Sequence, residues 1–182
     1  MSGWMWVGIV AVLGALVFGV YLSSTAGRLG HLHRRIDTSC LVLDAQLLRR
    51  SSVTIEIASS GLLDPASSLV LAEAAHVART ATDLPLSERA LAESDLTGAL
   101  LAALGPDDVD EVGQAGGGDM LEELDAACRR VQLSRRFLND AVRACRQVRR
   151  QRMVRLFRLA GHTPWPDTWE MDDTIPEGLV RR

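Results

Sequence analysis

Apolar side chains run unbroken from Trp4 to Leu22, and beyond that point they recur in steps of three, four and seven with charges between them. The first pattern predicts one helix that lies in lipid, because about 19 residues at 1.5 Å each cover close to the 30 Å of a bilayer core. Trp4, Trp6 and Tyr21 stand at its ends, where amphipathic rings favour the headgroup level. The second pattern predicts amphipathic helices. From Gly27 to Ser60, Leu29, Leu32, Ile36, Leu43, Leu47 and Ile57 form one stripe, so a long helix continues out of the span. Gly61 stops it, and Asp64-Pro65 supplies the cap and first-turn proline of a second helix, which reaches about Ala81 with a stripe of Val70, Ala74, Val77 and Ala81. After Pro85, Ser87 is placed to cap a third helix lined by Leu96, Leu100 and Leu104 and ended by Gly105-Pro106. The acidic, Gly-rich stretch from Gly105 to Asp119 has little to bury and reads as a mobile loop. From Asp119 onwards Leu121, Leu124, Cys128, Val131, Leu138, Val142 and Cys145 mark a heptad seam, with Arg135 in its one vacant position. That helix is expected to run to about Ala160, with Gly161 as its stop.

No stretch alternates with period two. The expected fold class is therefore all-α: a single N-terminal transmembrane helix followed by an antiparallel helical bundle with two long and two short helices. The domain plan is an anchor over residues 1–26 (span 4–22), a helical bundle over 27–160 containing the loop 105–119, and a tail over 161–182. A cleaved signal peptide is the competing reading, since Ser24-Thr25-Ala26 resembles a cleavage site, but no Lys or Arg precedes Trp4 as such peptides require. Arg28, Arg34 and Arg35 follow the span closely, which places the bundle in the cytoplasm at the cell membrane and the N-terminus outside. Formal net charge is only -3, so its distribution carries more information than its sum: acids gather between Asp107 and Asp125, arginines between Arg129 and Arg158. All 20 basic residues are Arg, a trait of codon composition. Cys128 and Cys145 lie too far apart on one helix to pair, and read as reduced core thiols.

Two stretches resemble the LemA family. Asp44-Ala45-Gln46-Leu47-Leu48-Arg49-Arg50 is similar to its D-x-Q-L-x-R-R segment, and Ser134 to Val142 (SRRFLNDAV) to its (A/S)-R-R-(F/Y)-x-N-x-x-V hallmark. The order of elements also fits: a short N-terminal end, one span, a long helix, two shorter ones and a long last helix. The resemblance implies a non-enzymatic membrane protein with a coiled-coil-like bundle and a scaffolding role. Cys145-Arg146 stands where the family has a Tyr-Asn pair, and the acidic Gly-rich loop replaces a Pro-containing aromatic link.

Arg50 continues the stripe of Leu29, Ile36, Leu43 and Ile57, and Arg135 sits in the second seam, so two guanidiniums point inward. A buried Arg needs a carboxylate, and Asp44, Glu88, Glu93 and Asp140 are the candidates. The expected layer is Arg50, Arg135, Asp44 and Asp140. It reads either as a register-setting polar layer or as a pocket for a small anionic ligand. Glu73 and His76 form an E-x-x-H, half of a di-metal motif, but none of His31, His33 and His162 has a Glu three residues before it. No nucleophile elbow, phosphate loop, dinucleotide fingerprint or Cys-His spacing is present, so neither enzyme activity nor cofactor is expected. Arg143, Arg146, Arg149, Arg150, Arg152, Arg155 and Arg158 have no acid among them. Of these, Arg143, Arg146, Arg150, Arg155 and Arg158 are the expected contacts to anionic lipid or a partner, with Trp165 and Trp169 as interfacial anchors. The expected partners are the bilayer through Trp4 to Leu22, anionic headgroups, an unidentified protein and a second copy of the chain. A nucleic acid is not among them.

Overall fold

The computed structural model describes residues 2–161 and 163–180, and every regular element among them is helical. Helix α1 (Ser2–Ser59) is one uninterrupted helix. It is followed by α2 (Pro65–Thr80), a 3₁₀ turn at Ala81–Asp83, α3 (Leu86–Ala103), α4 (Pro106–Val112), a wide turn at Gly113–Gly117, α5 (Gly118–Arg149), α6 (Arg152–Leu156) and α7 (Glu177–Val180). The chain divides into two compact units, residues 1–38 with 140–167, and residues 39–139 with 168–182.

The larger unit is held by leucines and small residues at helical spacing. Val53 and Ile57 of α1, Leu71, Ala75 and Ala78 of α2, Leu96, Leu100 and Leu104 from α3 and its C-cap, and Leu121, Leu124 and Cys128 of α5 form one buried cluster. Asp64 caps α2 as the sequence predicts, accepting from Ala66 N and Ser67 N, and the Ser67 hydrogen bonds hold its carboxyl below its ordinary value. The buried face of α2 is one position off the expected one: Leu71, Ala75 and Ala78 are inside, whereas Val70 and Val77 are exposed. Small alanines let α2 sit close to α3, which favours that face over the valine stripe. Helix α3 begins one residue before Ser87, with Pro85 at its cap.

The stretch 105–119 is not a loop but is helical for most of its length. Pro106 opens α4, Asp108 accepts from Gly105 N at 3.1 Å, and Val109 and Val112 are buried in the main cluster. The glycines serve the turn that follows. Gly116 has φ of 93°, and a Cβ on Gly117 would lie 2.6 Å from Val112 Cγ1 and 2.7 Å from Leu62 Cδ1.

In the smaller unit, Leu29, Cys145, Val148 and Val154 form a second core with Leu32, Ile36 and Leu159 against it. The last helix ends at Arg149, short of the expected Ala160, and Gln151 turns out of it with ψ of 136° before α6. The break has a geometric reason. Six residues apart on one helix, Val148 and Val154 would point about 120° away from each other, and the break lets both enter the same core. At the end of α6, Leu159 N donates to Val154 O and Arg158 takes a left-handed φ of 48°, a position where glycine is the usual residue. Every described side chain from Trp4 to Tyr21 is exposed, and this helix alone among the described ones is long and apolar enough to cross a membrane.

Candidate functional site

The polar centre of the larger unit starts from Arg50, which α1 directs inward one heptad after Leu43 and is 2 % exposed. Its Nη2 donates to Glu93 Oε2 at 2.7 Å and to the Glu93 carbonyl at 3.0 Å, and its Nη1 donates to Thr97 Oγ1 at 3.1 Å. Glu93 and Thr97 stand one turn apart on α3, so one helix face presents both acceptors. Burial pushes the Glu93 carboxyl above its ordinary value of 4.5, although the adjacent Arg50 charge and hydrogen bond, and Arg89 beyond them, pull it down.

The segment beyond Trp169, expected as a tail, is part of this centre. It lies as a strap in the larger unit, held by hydrogen bonds to its backbone and by Trp169, Ile175 and Leu179, which are buried or packed against the core. The Asn139 side-chain amide grips the backbone of one residue twice: Nδ2 donates to the Trp169 carbonyl at 3.0 Å, and Oδ1 accepts from Trp169 N at 2.8 Å. Thr97 Oγ1 is 2.9 Å from the Asp172 carbonyl, Asp172 N donates to Ser94 Oγ at 3.0 Å, and Gln132 Nε2 donates to the Asp173 carbonyl at 2.7 Å. Arg135 forms a two-pronged pair with the Asp173 carboxylate, at 2.7 and 3.0 Å. The Asp172 carboxyl is held below its ordinary value by the Thr174 hydroxyl and N–H that donate to it. Trp169 itself is buried, with the Arg89 guanidinium 5.0 Å above its ring and Arg89 Nη2 bound to Asp44 Oδ1 at 2.9 Å.

Three of the four residues expected in the polar layer meet here, but none pairs with another of the four; Glu93, one of the candidate carboxylates, is the partner of Arg50. Arg50 pairs with Glu93, Asp44 with Arg89, and Arg135 with Asp173. Asp140 does not belong to the layer. It lies in the smaller unit, exposed and paired with Arg143 one turn on. Arg49 pairs with Glu123 at the surface. The residues that sequence reasoning missed are Asn139, Thr97, Arg89 and Asp173, and Trp169, expected as an interfacial anchor, is instead buried under Arg89. Asn139 carried a signal: it follows Arg135 by four positions and adjoins Leu138 of the seam, so a helix must turn it inward.

The arginines of the smaller unit divide into two groups. Arg143 is held by Asp140; Arg146 donates to the Pro166 carbonyl and Asp167; Arg149 donates to the Thr163 and Pro164 carbonyls and lies 5.0 Å over the Trp165 ring. Arg143 and Arg146 thus each have a partner within the protein, and Arg143 stays exposed beside Asp140. Arg150, Arg152, Arg155 and Arg158 are exposed and meet no acceptor among the described residues. This unit holds ten arginines against three acids, Asp37, Asp140 and Asp167, and the larger unit carries the acidic excess.

Among the described residues, no group of three or more His, Cys, Asp and Glu could hold a metal ion. Glu73 and His76 are exposed on α2, and His162 lies outside the described residues. Cys128 is buried and its thiol is pushed up to about 11 by that burial, so it does not act as a nucleophile near neutral pH. Comparison with protein-family models, with curated proteins and with solved structures finds no match.

Proposed function

We propose that this chain is a divergent LemA-like protein of the cell membrane: a single-pass, N-out anchor carrying an antiparallel helical bundle at the cytoplasmic face, with a non-enzymatic role as scaffold or interaction module. The observation that carries the reading is the exposed apolar run on α1 above a unit whose charge is almost all arginine. The described side chains from Trp4 to Tyr21 are exposed, with Phe18 in a ring contact to Phe157, and hydrocarbon is the medium in which such a face is stable. Arginines retained beside a span favour the inner face. A signal peptide fits less well. Ser24 and Thr25 both donate to the Tyr21 carbonyl within an unbroken helix, whereas a peptidase needs an extended chain.

The LemA assignment rests on the two motif stretches, and their geometry supports giving them a structural role. Arg50 from one, and Arg135 and Asn139 from the other, are all engaged in the polar centre and its strap. The alternative function, a sensor that binds a small anion between the helices, needs an inward guanidinium without a carboxylate. Arg50 and Arg135 each have one, so the closed pairs favour the scaffold. Alkaline carbonate extraction tests the anchor, and protease added to intact cells tests the side. Retention in the membrane with a protected bundle is expected. Solubilisation by carbonate would sink the anchor, and digestion of the bundle from outside would reverse the topology.

A further inference from the structure

Four of the exposed arginines of the smaller unit gather around one apolar turn. Arg150, Arg152, Arg155 and Arg158 bracket α6, where Leu156 is 73 % exposed. The Phe157 ring next to it meets Phe18 edge-on, with centroids 5.4 Å apart. Phe18 precedes Leu22 by four residues, so it lies about 6 Å inside the end of the apolar run. Phe157 therefore sits at the outermost acyl level of a membrane that the run would cross. Arg155 and Arg158 flank it with stems long enough to keep their heads among the headgroups. An exposed leucine and phenylalanine between unpaired arginines suit the boundary of an anionic bilayer better than water. Arg158 also occupies a left-handed position that glycine would fill without strain, so the charge is kept against the local backbone preference.

We infer that α6 and its flanking arginines form a binding surface for anionic phospholipid headgroups, an inference that rests on reading α1 as a span. The guanidiniums supply planar donors for phosphate oxygens, while Leu156 and Phe157 supply contact with acyl chains. Continuity with the span, through the Phe18–Phe157 contact, commits the surface to a lipid.

The test uses the full chain in a neutral detergent, with bound phosphatidylglycerol and phosphatidylcholine compared by native mass spectrometry. Wild type is expected to retain phosphatidylglycerol preferentially. Each arginine near an anionic surface contributes about fivefold, so Arg155→Gln with Arg158→Gln should lower that preference by about 30-fold at low salt. Both side chains are exposed and have no acceptor among the described residues, so the fold is expected to survive, which circular dichroism checks. The inference is overturned if wild type shows no phosphatidylglycerol preference, if the double variant keeps it, or if inorganic phosphate competes fully for the same arginines. Carbonate extraction reads the anchor separately. Release of the wild type would overturn the spanning reading, whereas an unselective chain that stays in the membrane would overturn the headgroup surface alone.

Discussion

Replacing Arg50 with leucine removes one member of a pair in which both side chains are 2 % exposed, and leaves Glu93 inside with no cation against it. Breaking a buried pair by removing one partner costs about 3 to 5 kcal/mol, since the remaining group has lost water and gained nothing. For a chain of this size that is about 10 °C in the unfolding midpoint. Acidification should narrow the deficit. Burial already raises the Glu93 carboxyl above 4.5, so the folded chain favours the proton; stability from that proton is present below 4.5 and is lost as pH rises through the folded value. Without the Arg50 charge and hydrogen bond the folded value rises further, and the penalty at neutral pH grows. Thermal unfolding of the full chain in micelles, followed by circular dichroism from pH 7 down to pH 5, measures this. Adding Glu93→Gln to Arg50→Leu should recover most of the loss at pH 7. A single variant as stable as wild type, or a double variant no better than the single, would refute the reasoning.

Asn139→Ala should free the strap, because it strips the partner from both the N–H and the carbonyl of buried Trp169 at about 1 to 3 kcal/mol for each group left unsatisfied; amide exchange across residues 168–174 should accelerate while α3 stays protected. Arg158→Gly should stabilise the chain by about 1 kcal/mol, since glycine takes φ of 48° without the side-chain clash, and thermal unfolding reads it. Cys128, with its thiol raised to about 11, should resist iodoacetamide at pH 8 in the folded chain and react only on unfolding.

The seams of α1 and α5 were legible because their periodicity is dense: Leu43, Leu47 and Ile57, and Leu121, Leu124, Val131 and Leu138, are all buried where the spacing places them. Arg50 could be read as inward for the same reason. The face of α2 could not, because valine and alanine stripes of equal period lay side by side and only packing distance separates them. The stretch 105–119 looked like a loop from its glycines, whose role is one left-handed residue and one close approach next to a helix with just two buried valines. The strap left least trace. It has no period, and its polar anchors are mostly carbonyl and N–H groups, which every residue carries. Asp173 is 38 positions from the arginine it binds, and no pattern links them.

The strap also fixes an order of assembly. It is made after α1, α3 and α5, and its ties reach back across 30 to 78 positions, so Arg135, Asn139 and Ser94 must wait with open valences while the apolar seams are already able to close. A nascent chain can therefore be collapsed yet incomplete, and what it exposes in that interval is both a set of unanswered polar groups and the apolar places that Trp169, Ile175 and Leu179 later fill. A protease that samples local opening would find the gap until Trp169 docks on Asn139.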